Sequence, residues 1–222
     1  MQGFAASPPP HPMSDNALPL VHVDDDLVVI DKPAGLLSVP GRGPDKADCA
    51  AARVQARFAD ALVVHRLDMG TSGLLVFGRG PAAQRALSMA FEQRLTEKRY
   101  QALVAGWPEA AEGRIDLPLI CDWPNRPRQM VDHTVGKPSL TLWQRLEAHA
   151  LGARLALTPV TGRSHQLRVH LQAIGHPILG DELYAPPEVL AAAPRLMLHA
   201  ERLTLPHPRT GEPLALHAPA PF

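Results

Sequence analysis

Short apolar runs set the rhythm of the chain. Leu20-Val21-His22-Val23 and Leu27-Val28-Val29-Ile30 flank the acidic triplet Asp24-Asp25-Asp26, and runs of this kind bounded by turn residues predict two strands. Ala47 to Phe58 is alanine-rich and predicts a helix. Leu62-Val63-Val64 predicts a short buried strand, and Gly73 to Phe77 another. From Pro81 to Gln93 the spacing changes, with Ala83, Leu87, Ala90 and Phe91 falling on one face of a helix whose first position suits proline. Between about 98 and 160 the period returns to two, with strands predicted over Tyr100–Val104, Leu140–Leu146 and Arg154–Thr158. Short connections bearing Gly and Pro suit antiparallel neighbours. A second helix is predicted from Ser164 to Ile174, closed by Gly175, with Leu167, His170, Leu171 and Ile174 on one side. The pattern predicts an α+β fold, a mixed and mostly antiparallel sheet flanked by helices and loops, with no internal repeat.

Residues 1–17 contain the proline-rich stretch Ser7 to Asn16 and little to bury, which predicts a flexible tail ahead of one folded domain over 18–222. At 222 residues, 45% hydrophobic and 20% charged, the chain suits a single substantial core. Basic and acidic residues balance at 22 each, with eleven histidines. The overall basic excess common among nucleic-acid binders is therefore absent, although a neutral total leaves room for a local cationic patch. Cys49 and Cys121 lie far apart without C-x-x-C spacing, as expected of reduced thiols in the cytoplasm. No apolar run approaches the roughly 18–20 residues of a membrane span, so no membrane association is expected.

The densest chemistry lies in His65-Arg66-Leu67-Asp68-Met69-Gly70-Thr71-Ser72-Gly73-Leu74-Leu75. It sets one carboxylate at the end of a strand, two residues after an arginine, where polar groups meet ligands. Standing alone, such an aspartate is more often a turn former or half of a surface ion pair. The whole string resembles the catalytic motif of RluA-type pseudouridine synthases, as do Asp31 to Pro40, Glu97 to Ala102, Thr161 to His170 and Gly175 to Asp181. One departure is Gly70, where many members of that family carry an acidic residue.

The resemblance implies an isomerase that detaches uracil from ribose, rotates it and rejoins it through carbon. No electrons or water are consumed, so neither a cofactor nor a metal ion is expected. Asp68 would be the catalytic group, attacking the sugar, attacking the ring, or acting as a base on a sugar proton, alternatives that sequence leaves open. A sheltered carboxylate keeps its charge only beside a cation, and Arg163, at the predicted helix start, is the partner that the resemblance implies. By the same resemblance Tyr100 stacks on the uracil, Leu167 packs on its other side, and Arg66 fills the gap left by a flipped nucleotide. Lys32, Arg94, Lys98, Arg99 and Arg168 are candidate phosphate contacts. The partner would be ribosomal RNA, the anticodon stem-loop of transfer RNA, or both, bound by a monomer.

Three other readings compete. Gly78-Arg79-Gly80-Pro81-Ala82-Ala83 satisfies G-x-G-x-x-A, but no repeated strand-helix-strand pattern follows it, so no nucleotide cofactor is expected. His165 and His170 are five apart, about 140° round a helix, and do not share a metal-binding face. An RNA-binding module or RNA chaperone of the same fold, lacking catalysis, is the alternative function.

Overall fold

The computed structural model describes residues 18–43 and 46–222, so the predicted tail over 1–17 lies outside the described residues. A ten-stranded sheet runs in the order β1 (Leu20–Val23), β2 (Leu27–Lys32), β4 (Ser72–Arg79), β11 (Leu198–Pro206), β5 (Glu97–Ala105), β10 (Gly152–Pro159), β9 (Leu140–His149), β6 (Glu112–Asp116). β3 (Ala61–Val63) pairs with β4, and β12 (Pro213–His217) with β11. Every pairing in this sheet is antiparallel except that of β11 with β4. A separate hairpin joins β7 (Leu119–Cys121) to β8 (Gln129–Val131) through a 3₁₀ turn at Trp123–Asn125. The helices are α1 (Ala50–Gln55), α2 (Gly80–Glu92), α3 (Gln166–Ala173) and α4 (Pro187–Ala191).

Strands β2 and β4 read as unbroken apolar runs because both faces are covered. Val28, Ile30, Leu75 and Phe77 pack on Ala50, Ala51 and Val54 of α1. The alternate residues Leu27, Val29, Leu74 and Val76 pack on Leu87 of α2. Further along the sheet, Ala102, Val104, Leu155 and Leu157 meet Leu167 and Leu171 of α3. At roughly 1.5–3 kcal/mol per fully buried side chain, these layers hold α1, α2 and α3 against fixed strands. Among the described residues no helix is long and apolar enough to cross a membrane.

Helix α1 is shorter than its alanine-rich stretch predicts, because the Cys49 sulfur caps it by accepting from the Ala52 N–H and residues 47–49 stay extended or irregular. The G-x-G-x-x-A string does join a strand to a helix, but α2 leads to β5, which runs antiparallel to its neighbour β11 and so opposite to β4. This is no strand-helix-strand crossover. The glycine at 78 serves packing instead, since a Cβ there would lie 2.6 Å from the Gln84 backbone.

Candidate active site

The catalytic-type motif begins where β3 ends. His65 accepts the Val76 N–H at its Nε2 (3.1 Å) and stacks on Phe91, fixing the chain to the sheet before it turns toward Asp68. The next contacts come from the lysine-proline segment. The Ser38 hydroxyl donates to the Leu67 carbonyl (2.7 Å) and accepts the Leu67 N–H (3.0 Å). The Met69 carbonyl accepts from the Gly35 N–H (2.8 Å) and the Lys32 ammonium (3.2 Å). Both neighbours of Asp68 are thereby tied to β2 and its following turn. Beyond the turn, Gly73 has φ +111° and a Cβ there would meet the Ala200 carbonyl oxygen at 2.3 Å, so only glycine lets β4 start alongside β11. The turn at Gly70 is tight but less so, with Leu196 Cβ 3.2 Å from where a Cβ would stand.

An open pocket of about 120 Å³ lies over Asp68 and is lined by Arg66, Tyr100, Arg163, Leu167 and Arg168 among others. Five elements meet there: the turn after β3, the starts of β5 and β11, the end of β10, and α3 with the turn before it. Tyr100 sits in register with Leu157 and Ala200, and burial followed by the charge of Asp68 pushes its hydroxyl pKa upward. Leu167 is buried in the core beneath α3 and shows one edge to the pocket. Lys98 also lines it, its pKa lowered by burial and by Arg94.

The cation beside Asp68 is Arg168, correcting the sequence expectation of Arg163. Arg168 Nη1 lies 3.5 Å from Asp68 Oδ2, while its other nitrogens hold the fully buried Asp181 in a bidentate pair at 2.8 and 2.6 Å. Burial works against the Arg168 charge, and Asp181, with Asp68 beyond it, more than offsets that. Arg168 is thus no phosphate contact. Arg163 is exposed at the pocket mouth and is not among the ion-pair partners of Asp68; its guanidinium donates to the Pro138 carbonyl at 3.5 Å.

The reason for the exchange is local. His165 adopts a left-handed conformation, φ 53°, so α3 starts at Gln166 rather than Ser164. The Gln166 carboxamide closes the preceding turn by accepting from the Thr161 hydroxyl (2.7 Å) and the Arg163 N–H (3.0 Å). Arg163 is thrown outward and the first turn of α3 carries Arg168 in.

His165 completes the surroundings of the carboxylate, with Nε2 3.8 Å from Asp68 Oδ1. Its Nδ1 lies 2.7 Å from the Tyr184 hydroxyl, which accepts the Gln129 N–H at 2.7 Å. Burial draws the His165 pKa below its ordinary value against the pull of Asp68, so the ring is neutral at pH 7. With the Tyr184 oxygen already accepting from Gln129, its proton goes to Nδ1 and leaves the ring proton on Nε2, facing Asp68. Each carboxylate oxygen therefore has one donor nearby, at or beyond the edge of hydrogen-bonding distance. The charge is balanced while the oxygens stay free for a substrate.

Lys32 likewise departs from the sequence expectation. It is fully buried, its ammonium donating to the carbonyls of Pro33 (2.8 Å), Leu36 (2.8 Å) and Met69 (3.2 Å), so it meets no phosphate. Burial lowers its pKa to about 8 while Asp68 opposes the shift, and the charge survives at neutral pH. His170 is a satisfied core histidine, bonded to the Thr141 hydroxyl (2.9 Å) and the Leu117 carbonyl (3.0 Å). Sequence reasoning missed His165, Tyr184 and Asp181 as parts of the site. Asp181 was in view as the end of the Gly175–Asp181 string, but nothing in its spacing points to α3.

A family model described as RNA pseudouridylate synthase matches residues 26–173. The chain is 51% identical to the "Dual-specificity RNA pseudouridine synthase RluA" of Pasteurella multocida (strain Pm70), over 95% of this chain and 97% of that one. Identity is also 51% to the protein of the same description from Escherichia coli (strain K12), over 96% and 97%. Among solved structures it is similar to human RNA pseudouridylate synthase domain containing 1, with TM-score 0.80 and 30% identity over 95% of this chain and 86% of that one. Human RNA pseudouridylate synthase domain containing 4 gives TM-score 0.74 and 26% identity over 91% and 88%.

Proposed function

The chain belongs to the RNA pseudouridylate synthase family and is an RNA pseudouridine synthase, an isomerase; on that premise we propose that Asp68 is the group that loosens uracil from its ribose, within one catalytic unit spanning 18–222. The observation that supports this best is a half-buried carboxylate flanked by Arg168 and His165 without being bonded tightly to either, at the floor of a pocket walled by Tyr100 and Leu167.

A negative carboxylate in this setting serves as nucleophile or as base, and the Arg168 guanidinium stabilises the charge wherever it moves. Tyr100 and Leu167 bracket the detached ring, holding it within reach of the ribose while it turns. The raised Tyr100 pKa keeps its proton on, so the hydroxyl acts as a hydrogen-bond donor to the uracil. Arg66, exposed at the pocket mouth, occupies the space of the extruded nucleotide, and Arg163 takes a backbone phosphate.

The substrates we propose are folded ribosomal and transfer RNA, because the relatives from Pasteurella multocida and Escherichia coli are described as dual-specificity. The enzyme works as a monomer in the cytoplasm. Tritium release from 5-tritiated uridine in both RNAs, followed by mapping of the modified position, tests this reading. Release from each RNA at a defined uridine is the expected result; release from neither overturns it, and release from one alone overturns the dual substrate.

A further inference from the structure

The β7–β8 hairpin stands apart from the main sheet and ends in the most exposed large apolar side chain among the described residues, Trp123, at 68%. An indole held in water at a hairpin tip does nothing for the core. The tip is nevertheless ordered from within. Asp122 accepts two bonds from the Asn125 amide at 3.1 and 2.9 Å, and Arg126 donates to the Trp123 carbonyl at 3.1 Å. The Arg126 guanidinium lies over the indole, 4.0 Å from the ring centre, leaving a flat cationic and aromatic surface.

The base of the hairpin is fastened to the active site. Leu119 and Val131 pack with Val169 and Tyr184, and the Gln129 N–H is bonded to the same Tyr184 hydroxyl that sets His165 beside Asp68. Arg128 lies over the Tyr184 ring, 5.4 Å from its centre. Charge is distributed to match. Among the described residues Arg53, Arg79, Arg99, Arg114, Arg154, Arg168, Arg202 and Arg209 are paired with carboxylates, whereas Arg66, Arg126, Arg128 and Arg163, like some arginines elsewhere on the surface, are not. Although the chain has zero net charge, four arginines at the pocket mouth and along the adjoining hairpin thus have no carboxylate partner.

We propose that this hairpin is an RNA-gripping arm, in which Trp123 stacks on an unpaired base of the substrate loop and Arg126 and Arg128 take the flanking phosphates. The inference rests on the proposed reading of the pocket as the site of uridine isomerisation in folded RNA. Every base offers a π-face, so the arm holds an unpaired nucleotide without selecting its identity, while the pocket selects the uridine. A fully paired stem offers no such face.

The test uses the RNA that releases tritium with the wild-type enzyme. Trp123→Ala is expected to raise KM for that RNA by about tenfold, the effect of one lost base stack, with the loss falling on KM rather than kcat. Trp123→Phe should restore most of it. A protein in which Trp107 and Trp143 are replaced by Phe, leaving Trp123 alone, should show indole fluorescence quenched by the stem-loop and not by a duplex of the stem sequence. An unchanged KM in Trp123→Ala, or equal quenching by both RNAs, overturns the arm while leaving the isomerase intact. Association of the free protein that Trp123→Ala abolishes would assign the tip to a second copy of the chain and overturn it too. Absence of tritium release by the wild type would instead overturn the function on which the arm depends.

Discussion

Replacing Lys32 by Met decides between the phosphate contact expected from sequence and the buried anchor observed. The substitution keeps most of the volume but leaves the carbonyls of Pro33 and Leu36 without a donor and that of Met69 with the Gly35 N–H alone. A buried acceptor left unpaired costs roughly 1–3 kcal/mol and one bond lost at an acceptor still paired about 1 kcal/mol, so the loss is about 4–6 kcal/mol. Against this, burial lowers the Lys32 pKa from 10.5 to about 8. At about 1.4 kcal/mol per unit, the ammonium costs the folded state about 3 kcal/mol, which methionine relieves. The net expectation is a destabilisation of about 1–3 kcal/mol, or a Tm lower by about 5 °C for a chain of this size. Because Met69 adjoins Asp68, a carbonyl held by the Gly35 N–H alone also lets the carboxylate drift, and a displacement of about 1 Å is worth up to roughly 100-fold in kcat.

Urea unfolding and single-turnover tritium release measure the two effects, and the salt dependence of RNA binding should stay as in the wild type. The pH dependence has a definite sign. Between pH 8 and 10.5 the unfolded chain still holds the Lys32 proton that the folded chain has released, so wild-type stability rises relative to the variant by up to about 3 kcal/mol. Unchanged stability, together with a log-log salt slope reduced by about 0.7–0.9, would mean that Lys32 contacts a phosphate and would refute the reasoning.

Asp68→Asn should abolish tritium release while leaving RNA affinity within about tenfold, since phosphate contacts dominate binding; measurable turnover in the variant would remove Asp68 from the chemistry. Tyr184→Phe withdraws the proton given to His165 Nδ1, so nitrogen NMR of the labelled ring should change from the Nε2–H tautomer to a mixture, with kcat lower by about tenfold. An unaltered tautomer would show that Tyr184 does not set it. Asp181→Asn strips the buried Arg168 of its bidentate partner and should cost roughly 3–5 kcal/mol in urea unfolding; a loss under about 1 kcal/mol would contradict the pairing.

Two arginines five positions apart show where reading the chain stops. The turn Thr161-Gly162-Arg163 and the apolar side of α3 are both legible, because turn chemistry and helical period are local properties. Their joining residue is not legible. A single left-handed histidine starts α3 two residues later, about 200° of helix rotation away from the expected phase, and gives Arg168 rather than Arg163 to Asp68. The central strand β11 also went unread, although Leu198, Ala200, Leu203 and Leu205 are buried along it. Its parallel place beside β4 depends on Gly73, 127 residues before its partner Ala200.

By itself the sequence determined the strands β2, β4, β5 and β10, the amphipathic α2, and the segments whose order carries the family resemblance. Steric period and turn residues act over a few positions, so these survive without knowledge of the whole. Tertiary structure alone decided which cation faces the carboxylate, that Lys32 points inward, and that Tyr184 orients His165. Each of those depends on a charge finding partners on elements distant in the chain, where burial makes an unpaired ion too costly to leave and only assembled packing determines which partner is within reach.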